Sequence, residues 1–412
     1  MCRSRTGKHR RDAAAAPIGQ YRCVYDLVIV GGGPAGISTA LHVRDAAPDA
    51  NIVVLEAKRY PRDKICAGGI GARAFKLLAN IGVEVDCPRV PLDAIALRLS
   101  TGETVVTREP GLGAVVRRIE FDHAFANVAI ARGIDVRDGC PVSAISVRDD
   151  GVRVTTEAGD VLHARAIVGA DGVGGVVRRA LGFPRGELRA QVVELDTQAT
   201  ERDLPRDTVV FDFGAFDLNG YAWDFPTQVR GEPLVCRGAY VIHTPGTHDT
   251  PKHRVDAYLA ARGLAVGDYK LKQFAERGWE PNAAISASRV LLVGEAAGID
   301  IATGEGIGQA IEYGALAGPY LARMLADDAL DFASWRSHVR RHHLGWQLRI
   351  RHACYRLFYS RRRATIERMM PVVPGLFRAA VQDFAGLPLG KLALARGAGQ
   401  LLAAYIHENA RD

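Results

Sequence analysis

Leu27-Val28-Ile29-Val30-Gly31-Gly32-Gly33-Pro34-Ala35-Gly36 is the stretch whose reading decides the fold. Four consecutive apolar residues, three of them β-branched, describe a strand buried on both faces, as parallel strands are. They run directly into glycines at 31, 33 and 36, and then into a helix-compatible segment reaching Ala46. A second buried strand, Asn51-Ile52-Val53-Val54-Leu55, follows and ends at Glu56. The result is a complete β-α-β opening with GxGxxG spacing. Gly31 makes the tight turn, Gly33 lets backbone approach a pyrophosphate, and Gly36 lets the helix pack on the strand. Glu56, twenty residues after Gly36, is placed to accept a bond from a ribose hydroxyl, which argues against a 2′-phosphate and so against NADP at this position.

The design recurs twice. Ala166-Ile167-Val168-Gly169-Ala170-Asp171-Gly172 is again a strand entering a small-residue turn, with Arg178 and Arg179 after it. Val290-Leu291-Leu292-Val293-Gly294-Glu295-Ala296-Ala297-Gly298 repeats it and continues through Thr303-Gly304-Glu305-Gly306-Ile307-Gly308 into a predicted helix. An acid after a strand can bind a ribityl hydroxyl, and a glycine-rich helix start offers bare N–H groups to an electron-rich ring. Gly111-Leu112-Gly113 lacks a preceding strand and a third glycine, so no separate nicotinamide domain is expected. The absence of any CxxC pair removes a disulfide reductase.

In this order and spacing the three stretches resemble the FAD-binding fingerprints of hydroxylase-type flavoproteins. The local extras resemble the geranylgeranyl reductase family: Cys66-Ala67-Gly68-Gly69, Arg118 with Phe121-Asp122, Tyr221-Ala222-Trp223-Asp224-Phe225-Pro226, and Thr303-Gly304-Glu305-Gly306-Ile307. The likeness spans about residues 25–320. Where the family usually carries aspartate, proline and serine, this chain has Glu295, Ile301-Ala302 and Gly175. The resemblance implies an FAD site drawn from Gly31, Gly33, Pro34, Ala35, Gly36, Glu56, Ala57, Lys58, Cys66, Ala67, Arg118, Val142, Asp171, Gly172, Gly294, Glu295, Gly304, Gly306 and Ile307.

In a strand, Tyr221, Trp223 and Phe225 project from one face and Ala222 and Asp224 from the other. Pro226 is expected to end the pairing. By geometry alone the row is either an interior strand or the wall of a pocket. In the resembling family this motif lines the cavity that holds a prenyl chain near the flavin. That implies a substrate pocket of Tyr221, Trp223, Phe225 and Pro226. The family parallel also puts Cys66 close to the reactive face of the flavin, where a thiol donates a proton or packs as a small apolar group. Cys66 is the candidate catalytic residue.

The remaining composition narrows the setting. The chain has 412 residues, 48% hydrophobic and 24% charged, with a formal charge of +7, which are globular values. Seven scattered cysteines fit a reducing compartment better than a disulfide framework. His338 and His342 lie four apart among arginines and read as solvated, so no metal site is expected. Residues 1–22 read as a disordered basic arm, and no apolar run is long enough to span a membrane. From Arg336 to Arg368 there are ten arginines and one acid, Glu367, with Trp346, Ile350, Ala353 and Leu357 at helical spacing. Such a helix either covers a domain with a solvated basic side or contacts an anionic membrane surface. No nucleic-acid-binding fold accompanies the charge, so a nucleic-acid role is not expected.

The expected architecture is α/β. A Rossmann-like FAD-binding domain with a parallel sheet (23–184 and 286–325) is interleaved with an antiparallel-sheet substrate domain (185–285), which faces the segment around 90–116. A helical C-terminal region (326–412) follows. The resemblance implies an FAD-dependent reductase; the cysteine pattern leads us to expect it in the cytoplasm, with the Arg-rich tail as the candidate for peripheral membrane contact. It would saturate carbon–carbon double bonds of a geranylgeranyl-type isoprenoid chain, or another hydrophobic small molecule, by hydride transfer from flavin N5. NADPH, ferredoxin and a quinol are the electron donors to consider. A flavin monooxygenase or halogenase acting on an aromatic natural product shares the FAD stretches and is the alternative. A flavin-bearing electron or lipid carrier is the non-enzyme reading.

Overall fold

The computed structural model describes residues 3–4, 25–215, 219–243, 251–360, 362–371, 373–387 and 399. Parallel strands stand in the order Asp135–Asp138, Ile52–Leu55, Tyr25–Val30, Val161–Gly169 and Val290–Leu292. Leu27–Val30, Ile52–Leu55 and Val290–Leu292 are buried throughout, which is why they read as unbroken apolar runs, whereas Asp135–Asp138 at one side buries Val136 between partly exposed polar residues. The hairpin Val142–Arg148/Gly151–Thr156 hangs antiparallel on Val161–Gly169. Helix Pro34–Ala46 follows the first strand, and helix Ile307–Ala326 packs against it. Ser38 Oγ donates to Ile311 O across that contact at 2.8 Å.

A second sheet runs Lys272–Arg277, Arg189–Thr197, Glu232–His243, Gly220–Val229, Thr208–Asp212, Arg89–Arg98, Thr104–Val116 and Gly69–Gly71. It is antiparallel except where Thr208–Asp212 lies parallel to Arg89–Arg98. Alternation sorts its side chains. Tyr221, Trp223, Phe225, Cys236 and Tyr240 share one apolar cluster, while Ala222, Val193, Leu195 and Ala239 pack on the other face with Val255 and Leu259 of helix Pro251–Ala260.

Five expectations change. The second sheet is not the single insertion 185–285, because three of its strands come from residues 69–116. Pro226 does not end its strand: pairing with Glu232–His243 continues through Val229. The ladder with Thr208–Asp212 stops at Asp224, so the missing N–H falls where one neighbour has already left. Arg3–Ser4, within the expected disordered arm, pairs with Asp138 and Arg137, and the rest of that arm lies outside the described residues. Cys140 is disulfide-bonded, whereas Cys66, Cys87, Cys236 and Cys354 are free.

The fifth concerns the tail, where helices Trp335–Arg341, His343–Phe358, Arg363–Met369 and Pro374–Phe384 are present. Helix His343–Phe358 covers the domain with Leu344, Gln347 and Leu348, not with the face singled out in the sequence. Ile350 and Leu357 are 41% and 42% exposed. No helix among the described residues is long and apolar enough to cross a membrane.

Candidate active site

The three glycine-bearing turns converge at the ends of the parallel strands, and each glycine of the first has a distinct surrounding. Gly31 has φ +106°, and a Cβ there would fall 2.3 Å from Ala170 O. A Cβ at Gly36 would fall 1.9 Å from Gly31 O, so this residue is fixed by helix–strand contact. Gly33 differs: its Cβ direction opens on Arg62 Nη2 at 3.8 Å and Arg118 Nη2 at 4.0 Å. A side chain at Gly33 would thus sit in ordinary contact with two guanidinium groups, and backbone N–H groups at a helix start beside two arginines are a donor set that fits a diphosphate. Pro34 and Ala35 begin that helix, and a Cβ at Gly294 would lie 2.6 Å from Ala35 Cβ, which brings the third turn against the first.

Glu56 is buried and committed. Its Oε2 accepts Gly32 N–H at 2.9 Å and Arg62 Nη2 at 3.0 Å, and its Oε1 accepts Lys58 N–H at 3.0 Å. Ala57 and Lys58 are exposed beside it. Cys140 N–H donates to Glu56 O at 2.8 Å, which brings the approach to Val142 alongside. Arg118 forks onto Asp122 at 2.7 and 2.6 Å, and Arg62 reaches the same carboxylate at 2.8 Å. Glu56, Arg62, Asp122 and Arg118 therefore form one buried ionic chain at the cradle. Arg62 escaped the sequence reading, because nothing in Pro61-Arg62-Asp63 marks it without the fold.

In the second turn Asp171 caps the following segment through Val177 N–H at 2.9 Å, and burial pushes it up to about 6. A Cβ at Gly172 would lie 3.6 Å from Glu295 Oε2. Glu295 is 9% exposed; Oε2 accepts Lys64 Nζ at 2.9 Å, while Oε1 is buried with no partner. An orphaned carboxylate oxygen there fits a hydroxyl-bearing cofactor chain.

The aromatic row spans two of these loops. Tyr221 donates to Thr303 O at 2.5 Å, and a Cβ at Gly304 would lie 2.9 Å from the Tyr240 ring, which stacks on Tyr221 with centroids 5.1 Å apart. At the other end, a Cβ at Gly69 would lie 3.0 Å from Phe225 Cε2, while Ile65 and Ala67 pack on the same apolar cluster. One wall thus joins the Cys66–Gly69 segment to the Thr303–Gly306 loop that starts helix Ile307–Ala326. Pro226 is buried at its end. Cys66 sits beside Arg118, and burial, outweighing that arginine's charge, pushes its thiol up.

The tail closes the loop from outside. Arg351, counted among the solvated arginines in the sequence, instead pairs with Asp300 at 2.8 Å and Glu305 at 2.5 Å. Gln309 accepts Asp300 N–H at 2.8 Å and donates to Gln347, which donates to Asp383. His343 donates to Glu312 at 2.9 Å and Asp383 at 2.8 Å. Burial opposes its charge, but these bonds outweigh burial and raise it to about 9.

With this geometry in view, comparison with known proteins is specific. Residues 24–349 match the sequence profile of the FAD binding domain family. The chain belongs to this family. It is an FAD-dependent oxidoreductase, as the names of its relatives bear out. Digeranylgeranylglycerophospholipid reductase 2 of Methanosphaera stadtmanae is 26% identical over 324 residues, 73% of this chain and 79% of that one. Menaquinone reductase of Mycolicibacterium smegmatis is 26% identical over 346 residues, 77% and 81%. A geranylgeranyl bacteriochlorophyll reductase-like structure from Thermoplasma acidophilum has TM-score 0.72 at 17% identity, covering 90% of this chain and 95% of that one. The structure of a flavin-dependent brominase has TM-score 0.71 at 17% identity, covering 94% and 99%. Such distant likenesses establish the shared fold. The relatives bear out the resemblance to geranylgeranyl reductases read from the motifs.

Proposed function

We propose that this oxidoreductase saturates carbon–carbon double bonds of an isoprenoid chain lying against Tyr221, Trp223 and Phe225. The observation that carries the reading is the aromatic wall running from the Cys66–Gly69 segment to the Thr303–Gly306 loop. Reductase-named relatives support it. FAD bound here supplies the hydride. The chain's own residues do the rest. Gly33 with Arg62 and Arg118 receives the diphosphate, Glu56 the ribose and Glu295 Oε1 a further hydroxyl. The rings exclude water and hold an alkene that has no carbonyl to stabilise charge, so positioning supplies much of the rate. Tyr221, tied to Thr303 O, fixes one end of the wall. The raised Cys66 thiol stays neutral near pH 7, so it lines the pocket or gives a proton and is no thiolate nucleophile.

The exposed Ile350 and Leu357, with half-buried Trp346 four residues before Ile350 and exposed Arg349 and Arg356 each next to one of them in the chain, form the surface proposed to meet an anionic membrane carrying the lipophilic substrate. The test of the reaction is anaerobic. Chemically reduced holoprotein should add two hydrogens to a prenyl diphosphate, prenylated lipid or menaquinone, read by mass spectrometry, and Trp223→Ala should impair that reaction while keeping FAD. Product formed only with oxygen would replace this reading with a monooxygenase or halogenase.

A further inference from the structure

Glu194 is a carboxylate on an apolar face. Its neighbour Val192 joins the cluster of Tyr221, Trp223 and Cys236, whereas Val193 and Leu195 turn to the opposite face of the sheet. Glu194 is only 4% exposed. The register sets it opposite Gly238, which in turn lies opposite Trp223. A Cβ on residue 238 would fall 2.2 Å from Trp223 Cζ2. The glycine therefore leaves the indole free to lie over the strand separating it from the carboxylate, and Glu194 adjoins the aromatic wall.

Its hydrogen-bond partners carry no charge. Oε1 accepts Cys66 N–H at 3.2 Å, and Oε2 accepts from the Cys236 thiol at 3.9 Å. The cations lining the same cleft are engaged elsewhere. Lys272, on the adjoining strand, bonds Asp63 at 3.0 Å; Lys64 bonds Glu295 at 2.9 Å; Arg117 bonds Asp196 at 2.7 Å; Arg118 holds Asp122. Burial, only partly offset by the Lys272 charge and the Cys66 N–H and reinforced by Asp196 and Asp63, pushes Glu194 up to about 7. The Cys66 and Cys236 thiols are raised above 9 by burial, so Glu194 is the stronger acid of the three. A group that titrates near neutrality is the one suited to donate a proton and recover it within a turnover.

We propose that Glu194 supplies the proton that completes saturation of the double bond, an inference that rests on the reductase reading above. One alkene carbon gains the hydride furnished by the reduced cofactor, and the other gains the carboxyl proton. The Glu194 O–H bond breaks, two C–H bonds replace the π bond, and the cofactor is oxidised by two electrons. The carboxylate regains its proton from water entering the cleft beside Asp63, Lys64 and Lys272.

The experiment uses wild-type holoprotein, Glu194→Gln and Glu194→Asp. Infrared titration, taken as the difference between wild type and Glu194→Gln so that Asp171 and Glu276 cancel, should show a protonated-carboxyl band that disappears with a midpoint near pH 7, and the difference between Glu194→Asp and Glu194→Gln should retain such a band. Anaerobic turnover of geranylgeranyl diphosphate by chemically reduced protein should fall about 100-fold or more in Glu194→Gln. KM and FAD affinity should stay within about twofold of wild type, and Glu194→Asp should recover part of the rate. A carboxyl already ionised at pH ~5 overturns the proposal. So does an unchanged rate in Glu194→Gln, or a change confined to KM and FAD affinity, which would make Glu194 an anchor for the Cys66 segment. Failure of the wild type on every prenyl substrate overturns the reductase reading itself; an active wild type beside an equally active Glu194→Gln overturns only the role of Glu194.

Discussion

Replacing Gly33 should separate cofactor binding from folding. The residue is the N-cap of helix Pro34–Ala46 with φ −79° and ψ −176°, extended backbone open to any side chain. Exchanging an N-cap glycine for valine costs up to about 1 kcal/mol. Removing a glycine from the unfolded chain returns about 0.4–1 kcal/mol, so the cofactor-free protein should change little. The valine methyls, however, enter the space between Gly33, Arg62 and Arg118. Losing two charge-assisted contacts to a diphosphate, at about 1.5–3 kcal/mol each, totals about 3–6 kcal/mol. That is about two to four orders of magnitude in affinity. Gly36→Ala is the contrast: its methyl would meet Gly31 O at 1.9 Å, forcing backbone shifts that cost about 1–3 kcal/mol or more.

Both variants should be stripped of flavin, melted, and titrated with FAD by fluorescence quenching. The stripping matters, because bound ligand raises the wild-type melting point by mass action. A Gly33→Val protein that binds FAD as tightly as wild type would refute the cradle. One that loses as much stability as Gly36→Ala would show that Gly33 is a packing position.

Arg351→Ala strands the Asp300 and Glu305 carboxylates, so unfolding free energy should drop by about 3–5 kcal/mol in denaturant titration, with faster FAD release as the Thr303–Gly306 loop loosens. His343 has its pKa raised from 6.5 to about 9, so its contribution is full below pH 6.5 and is lost as pH climbs through about 9. The stability gap between wild type and His343→Gln, about 1–3 kcal/mol at pH ~6 once solvent access is allowed for, should close by pH ~10. Replacing Arg349, Arg356 and Arg362 with glutamine should weaken binding to anionic vesicles about 100-fold at low salt, at ~1 kcal/mol per arginine. Equal binding to neutral vesicles would reject the electrostatic account. Arg363 is left intact because it pairs with Glu367 at 2.6 Å, and Arg361 lies outside the described residues.

What was legible in the sequence is what is local along the chain. A buried parallel strand needs an apolar run, and a tight turn into a helix needs glycines at set intervals. Both requirements lie within a dozen residues, so the three turns and the strands that feed them could be read directly, whereas the order of those strands in the sheet could not. The second sheet was only half legible. Alternation in Tyr221–Phe225 correctly separated its two faces. The contribution of residues 69–116 depended on pairings such as Ala94 with Thr208, more than a hundred residues apart. Pro226 misled because its rule concerns hydrogen bonds on the side where a neighbour exists, and strand neighbours are not written locally.

The charged residues follow the same logic more sharply. Arg351 and Arg356 sit five apart on one helix and look equivalent in sequence, yet one is half-buried and paired with Asp300 and Glu305 and the other is exposed. The difference is the loop that crosses in front of Arg351, which comes from fifty residues away. Glu194 offered a fairer signal: an acid inside Val192-Val193-Glu194-Leu195 interrupts a run that has no reason to tolerate one. Burying a carboxylate without a cation costs stability unless the group is neutral. Arg62 and Arg118, by contrast, are buried with Glu56 and Asp122, so their charges are compensated within the chain itself. A diphosphate arriving at Gly33 must therefore compete with those carboxylates for the guanidinium groups. Glu56→Gln should accordingly leave a net positive cradle, binding the diphosphate moiety more strongly while losing the ribose contact. Titration with inorganic pyrophosphate alone, which has no ribose, isolates the first effect. Tighter pyrophosphate binding in Glu56→Gln than in wild type is the expected result, and weaker binding would mean that Glu56 orients Arg62 instead of competing for it.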